Sequence, residues 1–116
     1  VLKLNNLKEI SMSFMPSDKK VGQYTAKNAV NWKLVPVSGL DKVMVVMYDS
    51  DGSHIWETSP VNNAIRIDSE KGSIVSTRSG SLYFLSDAEK HASLWQVGLQ
   101  VKRPGAYKRL TENKIL

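Results

Sequence analysis

The sequence predicts an α+β fold: an antiparallel β meander, a small barrel-like or curved sheet of about five to six strands, with C-terminal helical segments. Three observations predict it. Short apolar runs of strand length recur between residues 7 and 85, turns containing Gly, Asp and Ser separate them, and after Ser86 the signals change to those of helix ends. A chain of 116 residues, 41% hydrophobic, supports one core, so residues 1–116 read as a single domain with a β-rich core at 7–85 and a basic segment at 86–116.

Leu7 to Met15 opens the strands, with Ile10, Met12 and Phe14 on one parity and Ser11 and Ser13 on the other, and Pro16 ends it. Residues 16–31 hold no sustained period and read as a connection, with one helical turn over Thr25 to Val30. Trp32 to Val37 reads as a short edge strand, because Pro36 lacks the N–H that a central ladder uses. Val43 to Tyr48 is the most apolar run, rich in Val and Met, and is placed as the central, fully buried strand. His54 to Thr58 is its hairpin partner, and Ser59-Pro60 breaks the run. Residues 64–68 then pair with 74–78 across 69–73, and Leu82 to Leu85 follows the turn Thr77-Arg78-Ser79-Gly80.

Two patterns compete after that turn. Ser86-Asp87-Ala88-Glu89 matches a capping box, Lys102-Arg103 suits a last turn and Pro104 stops it, which favours a helix over 87–102. Against this, Trp95, Val97, Leu99 and Val101 alternate with Gln96, Gly98, Gln100 and Lys102, the period of a strand. An all-β fold is the alternative if 94–102 is a strand. Residues 104–112 read as a second short helix with Pro104 at its first position and Tyr107 and Leu110 on its inner side.

Charge is unevenly distributed within a net +5. Residues 1–41 hold six lysines against three acids, 42–89 four bases against seven acids, and 90–116 six bases against one acid. A basic end is a footprint for a polyanion, since Lys and Arg neutralise phosphates and release counterions. The longest uninterrupted apolar run, Val43 to Met47, is far shorter than a spanning helix, which predicts no membrane partner. The absence of Cys fits a reducing compartment, and Val1-Leu2-Lys3-Leu4 lacks the order of a signal peptide, so the expected location is cytoplasmic.

Few residues point to catalysis. Asp49-Ser50-Asp51-Gly52 offers oxygen ligands, but the spacing of an EF-hand is missing and a hairpin turn accounts for it. On a regular strand His54 and Glu57 point to opposite faces and form no dyad without a bulge, and His91 reads as solvated. Two His without Cys leave too few ligands for a metal, and no serine sits in a nucleophile elbow. The expectation is a non-enzymatic protein without cofactor or metal. The stretches TSPV at 58–61, STRSGSLYFL at 76–85 and KRP at 102–104 resemble those of small bacterial or phage-encoded proteins, a resemblance that names no family and carries no residue role.

Three features point to binding. Lys102, Arg103, Lys108, Arg109 and Lys114 surround Tyr107, a set able to grip a nucleic-acid backbone and stack a base. Arg66 and Arg78 would add a small basic spot at the open end of their hairpin. Trp32, Trp56 and Trp95 read as core, with any exposed one a contact for a partner. The sequence therefore predicts a small basic binding protein contacting nucleic-acid backbone through its C-terminal segment, or alternatively a protein-interaction or regulatory module, a homodimer or a subunit of a complex.

Overall fold

A computed structural model describes residues 14–116, so the strand expected at Leu7 to Met15 lies largely outside the described residues, and Phe14 to Ser17 have no regular structure. The chain forms strands β1 (Asp18–Val21), β2 (Tyr24–Asn28), β3 (Trp32–Pro36), β4 (Val43–Tyr48), β5 (His54–Glu57), β6 (Val61–Ile67), β7 (Gly72–Thr77) and β8 (Leu82–Ser86). Helices α1 (Trp95–Lys102) and α2 (Pro104–Glu112) follow. The fold is α+β, with its strands in two open sheets among the described residues and no closed barrel. A five-stranded sheet has the order β1-β2-β8-β7-β6, and a three-stranded sheet the order β3-β4-β5.

The three-stranded sheet follows from its residues. β4 is flanked on both sides, by β3 at Leu34 opposite Val45 and by β5 at Met47 opposite Trp56. Its apolar run is buried at Val43, Val45, Val46 and Met47. Pro36 sits at the edge strand, where its missing N–H costs no ladder bond. In the larger sheet the chain runs as an antiparallel meander from β6 through β7 to β8. The hairpin expected across residues 69–73 forms with a slightly shorter turn, Ile67 facing Gly72.

Residues 16–31 depart from the expected connection. They fold as the β1–β2 hairpin, turned at Gly22 with φ +60°, and β2 joins the sheet parallel to β8 at Lys27 opposite Tyr83. Strands of four and five residues with mostly polar side chains carry too little periodicity to read, and the apolar positions that fix them, Val21 and Ala26, are fully buried against Ile74 and Phe84.

The C-terminal third departs as well. The first helix begins at Trp95 rather than at Asp87, and residues 87–89 form a single 3-10 turn in which the Ser86 hydroxyl accepts the Ala88 N–H at 3.2 Å. Glu89, which a capping box would fold back onto Ser86, instead accepts the Asn31 N–H at 3.2 Å. The all-β alternative fails on the same ground, since 95–102 is helical. Only Leu99 of its alternating residues is fully buried, while Val97 and Val101 face solvent, so the alternation does not mark an inside and an outside.

The main core lies between the two sheets and the helices. It joins Trp32, Leu34, Val43, Val45 and Met47 to Val61, Val75, Tyr83 and Leu85, and to Leu99, Ala106, Leu110 and Ile115. Each fully buried large side chain of this kind contributes about 1.5–3 kcal/mol. All three tryptophans use their indole N–H inside the fold: Trp32 donates to the Ser86 carbonyl, Trp56 to the Tyr83 hydroxyl and Trp95 to the His91 carbonyl.

Candidate functional site

The residues expected to grip a polyanion divide into two groups. Arg103 donates from Nε to the Leu40 carbonyl and from Nη2 to the Val37 carbonyl, both at 3.0 Å, and from Nη1 to the Lys102 carbonyl at 2.8 Å. Arg109 donates to Asp41 Oδ2 at 3.0 Å and to the Asp41 carbonyl at 2.9 Å. Both guanidinium groups therefore reach from the helical segment to residues 37–41, the connection between β3 and β4; the Arg103 contact with Val37 is partly buried, while the Arg109–Asp41 pair lies at the surface with both side chains more than half exposed. Tyr107 is half-buried against the core, while Lys102, Lys108 and Lys114 are exposed.

Arg66 is engaged more completely. Its two terminal nitrogens meet the two Asp87 oxygens at 2.7 Å each, and its Nε donates to Asp68 at 3.1 Å. Hydrogen bonding to Asp87 and then to Asp68 holds the guanidinium still further above its ordinary pKa, and the same Arg66 contact pushes Asp87 below the usual carboxylate range. Arg78 is exposed at the β7–β8 turn. Because Arg66 stands opposite Ser73, about 16 Å of strand separates the two arginines at 3.2–3.4 Å per residue, and they occupy opposite ends of the hairpin rather than one basic spot.

The turn carrying Arg78 has its amides occupied. Thr77 N–H donates to the Ser81 carbonyl, Arg78 N–H to Pro60, Gly80 N–H to Thr77, and Ser79 N–H to the Ser59 hydroxyl. Gly80 supplies the positive φ of +89° that this turn needs. With these four donors engaged, the loop is the turn of a hairpin and presents no cradle of amides to a phosphate.

The structure also joins residues that the sequence separates. β5 contains a bulge at Ile55, since Tyr48 faces His54 while Met47 faces Trp56, and this brings His54 Nε2 within 3.6 Å of Glu57 Oε2. Tyr48 packs against both histidines, 5.9 Å from the His54 ring and 4.9 Å from the His91 ring, and Lys33 lies over the Tyr48 ring at 4.7 Å. His91 is half-buried, not solvated as expected, and its backbone N–H donates to the Trp32 carbonyl at 2.7 Å. Only the bulge could have signalled the first pair, and no local pattern links Tyr48 to His91. Among the described residues no group of three His, Asp or Glu is placed to hold a metal ion.

Among the described residues, a row of exposed aliphatic side chains and a cleft offer surface to a partner. Helix α1 exposes Val97 at 57% and Val101 at 76%, and Leu94 just before it at 85%, in one row at helical spacing. On the other side of α2, a cleft of about 330 Å³ lies between Val61, Asn62, Asn63 and Ala64 of β6 and Ala106, Arg109, Leu110 and Asn113 of the helical segment. Compared with known proteins, the chain matches no family model, no curated protein and no solved structure.

Proposed function

We propose that the protein is a non-enzymatic interaction module whose α1 surface takes an apolar face of another protein. The observation that carries this reading is the exposed row Leu94, Val97 and Val101. Water gains nothing from three aliphatic side chains aligned on one helix face, and a partner that covers them gains the hydrophobic term. A row of this size buries a few hundred Å², well under the roughly 800 Å² per partner of a stable interface, which suits an amphipathic helix of a transient partner better than a permanent homodimer. The engagement of Arg66 with Asp87 and of Arg103 with the Val37 carbonyl weighs in the same direction, because these two guanidinium groups are committed to contacts within the chain.

The test is a photo-crosslinking residue at position 94 in an extract of the source cells. The expected adduct is protein, and it disappears in the Val97→Asp, Val101→Asp variant. A nuclease-sensitive adduct, or equal yield from the variant, would contradict the reading.

A second reading keeps a nucleic-acid partner. It rests on Lys102, Lys108 and Lys114, which are exposed on the C-terminal segment and, among the described residues, form no ion pair. Three lysines contacting duplex phosphates give a slope of log K against log salt of about −3, which a titration between about 50 and 200 mM salt measures.

A further inference from the structure

The geometry points to the cleft between β6 and α2 as a binding site for an extended, acidic peptide segment, which adds to the outer edge of β6 as a further strand. This site lies on a face of α2 other than the one beside α1, and it does not depend on the α1 row.

β6 ends the order of the five-stranded sheet, and among the described residues no strand pairs with its outer edge. The alternation of an antiparallel ladder says which of its groups face that edge. Arg78 N–H donates to the Pro60 carbonyl, Thr77 N–H to Ser81 and Asp87 N–H to Lys71, which together fix Ser76 and Gly72 as the residues of β7 that bond across to β6. Their partners are Asn63 and Ile67, with Ile65 between them facing Ile74. The backbone N–H and C=O of Ala64 and Arg66 consequently point away from β7, spaced as an added strand requires. The register shift between Val61 and Asn63 turns the start of the strand beside the cleft.

The cleft has a mixed lining in which the buried Val43, Val61, Ala106 and Leu110, with Ala64, supply the apolar part, so an added strand can seat one aliphatic side chain against them while its backbone meets Ala64. The opposite wall is helix α2. A groove walled by a helix admits a single extended segment, whereas the edge of another folded sheet, as in a second copy of this chain, would meet the helix.

Lys42 is steadied at the rim by the Asn62 side chain at 2.7 Å, and Arg109 is steadied by Asp41. Two positive groups beside one carboxylate leave the rim positive by one charge. A segment carrying Asp or Glu, or a terminal carboxylate, next to its aliphatic anchor matches it.

The test is selection from a phage-displayed library of short linear peptides against the full chain. Binding of the synthesised winners is then measured by calorimetry and amide hydrogen exchange. The expected winners carry an acidic residue beside an aliphatic one and slow exchange at the amides of Ala64 and Arg66. Ala64→Pro removes an outward N–H without touching the β6–β7 ladder, and with Lys42→Glu it should weaken binding about five- to tenfold per substitution. The Val97→Asp, Val101→Asp variant should bind the same peptides unchanged, which separates this site from the α1 surface. Should Ala64→Pro fail to fold, Lys42→Glu and the exchange pattern decide. Absence of binders, winners indifferent to Lys42→Glu, unprotected amides at Ala64 and Arg66, or dimerisation through the β6 edge would each overturn the proposal.

Discussion

Arg66 and Asp87 form a two-pronged pair, Nη1 to Oδ1 and Nη2 to Oδ2 at 2.7 Å each, that ties the end of β6 to the turn after β8. The residues lie 21 positions apart in the chain, and the pair closes the end of the sheet where Ile67 faces Gly72 and Gly72 faces Ser86. Arg66 is the more enclosed partner, its side chain 20% exposed against 44% for Asp87. A charge expected to face a polyanion is thus part of the scaffold.

This pair predicts a pH dependence. Asp87 has a depressed pKa in the folded protein, so its contribution is present above the unfolded carboxylate value of about 3.9 and is lost as pH falls through the lower folded value. Acid unfolding followed by circular dichroism should show Asp87→Asn less stable than the parent near neutral pH, by roughly 1 kcal/mol for a partly exposed pair, with the difference shrinking below pH ~4. A difference that is constant across that range would remove Asp87 from the account.

Thr58 makes a sharper prediction for the smaller sheet. Its buried hydroxyl accepts the Val45 N–H at 3.0 Å and donates to the Ser59 carbonyl at 2.8 Å, which ends β5 beside the central strand. Thr58→Val keeps the shape and leaves the Val45 N–H without that partner, at a cost of about 1–3 kcal/mol. Urea denaturation with an unchanged m-value measures it, and Thr58→Ser should recover most of the loss.

Two glycines should respond in opposite directions. A Cβ at Gly72 would sit 2.5 Å from the Phe84 ring and 2.7 Å from the Leu85 carbonyl, so Gly72→Ala overpacks the sheet and should destabilise by about 1–3 kcal/mol. Gly98 lies inside α1 with open space around its Cβ position, and Gly98→Ala should stabilise by about 0.5–1 kcal/mol through helix propensity. Thermal unfolding of both variants in one buffer gives the two signs directly.

Much of the scaffold was legible because burial and turn chemistry agree in it. Val43 to Tyr48 announced a central strand, Pro36 an edge, and Ser79-Gly80 a hairpin turn, and each of these rests on neighbouring residues only. The β1–β2 hairpin was hidden, since its identity depends on Ile74 and Phe84 far along the chain. The start of α1 was misplaced because Glu89, the acid that completed a capping box on paper, is drawn instead to the backbone of Asn31, 58 residues away.

The candidate sites were less legible for the same reason. Lys102, Lys108 and Lys114 are the solvated charges that a count implies, but Arg103 and Arg109 find their partners 66 and 68 residues away at Val37 and Asp41. Charge density read along a chain cannot distinguish a guanidinium facing water from one holding a turn. Nor does any local pattern bring Tyr48 against both His54 and His91, or turn the backbone of Ala64 outward on a strand edge.

The central claim is that the C-terminal segment presents an apolar surface to a protein partner while Arg103 and Arg109 bond to residues 37–41 of the chain itself. Its most direct test compares crosslinking from position 94 in the parent, the Val97→Asp, Val101→Asp variant and the Lys102→Glu, Lys108→Glu, Lys114→Glu variant within one extract. The account predicts a protein adduct that the aspartates abolish and the lysine reversals leave in place; an adduct lost only on lysine reversal, and removed by nuclease, would contradict it.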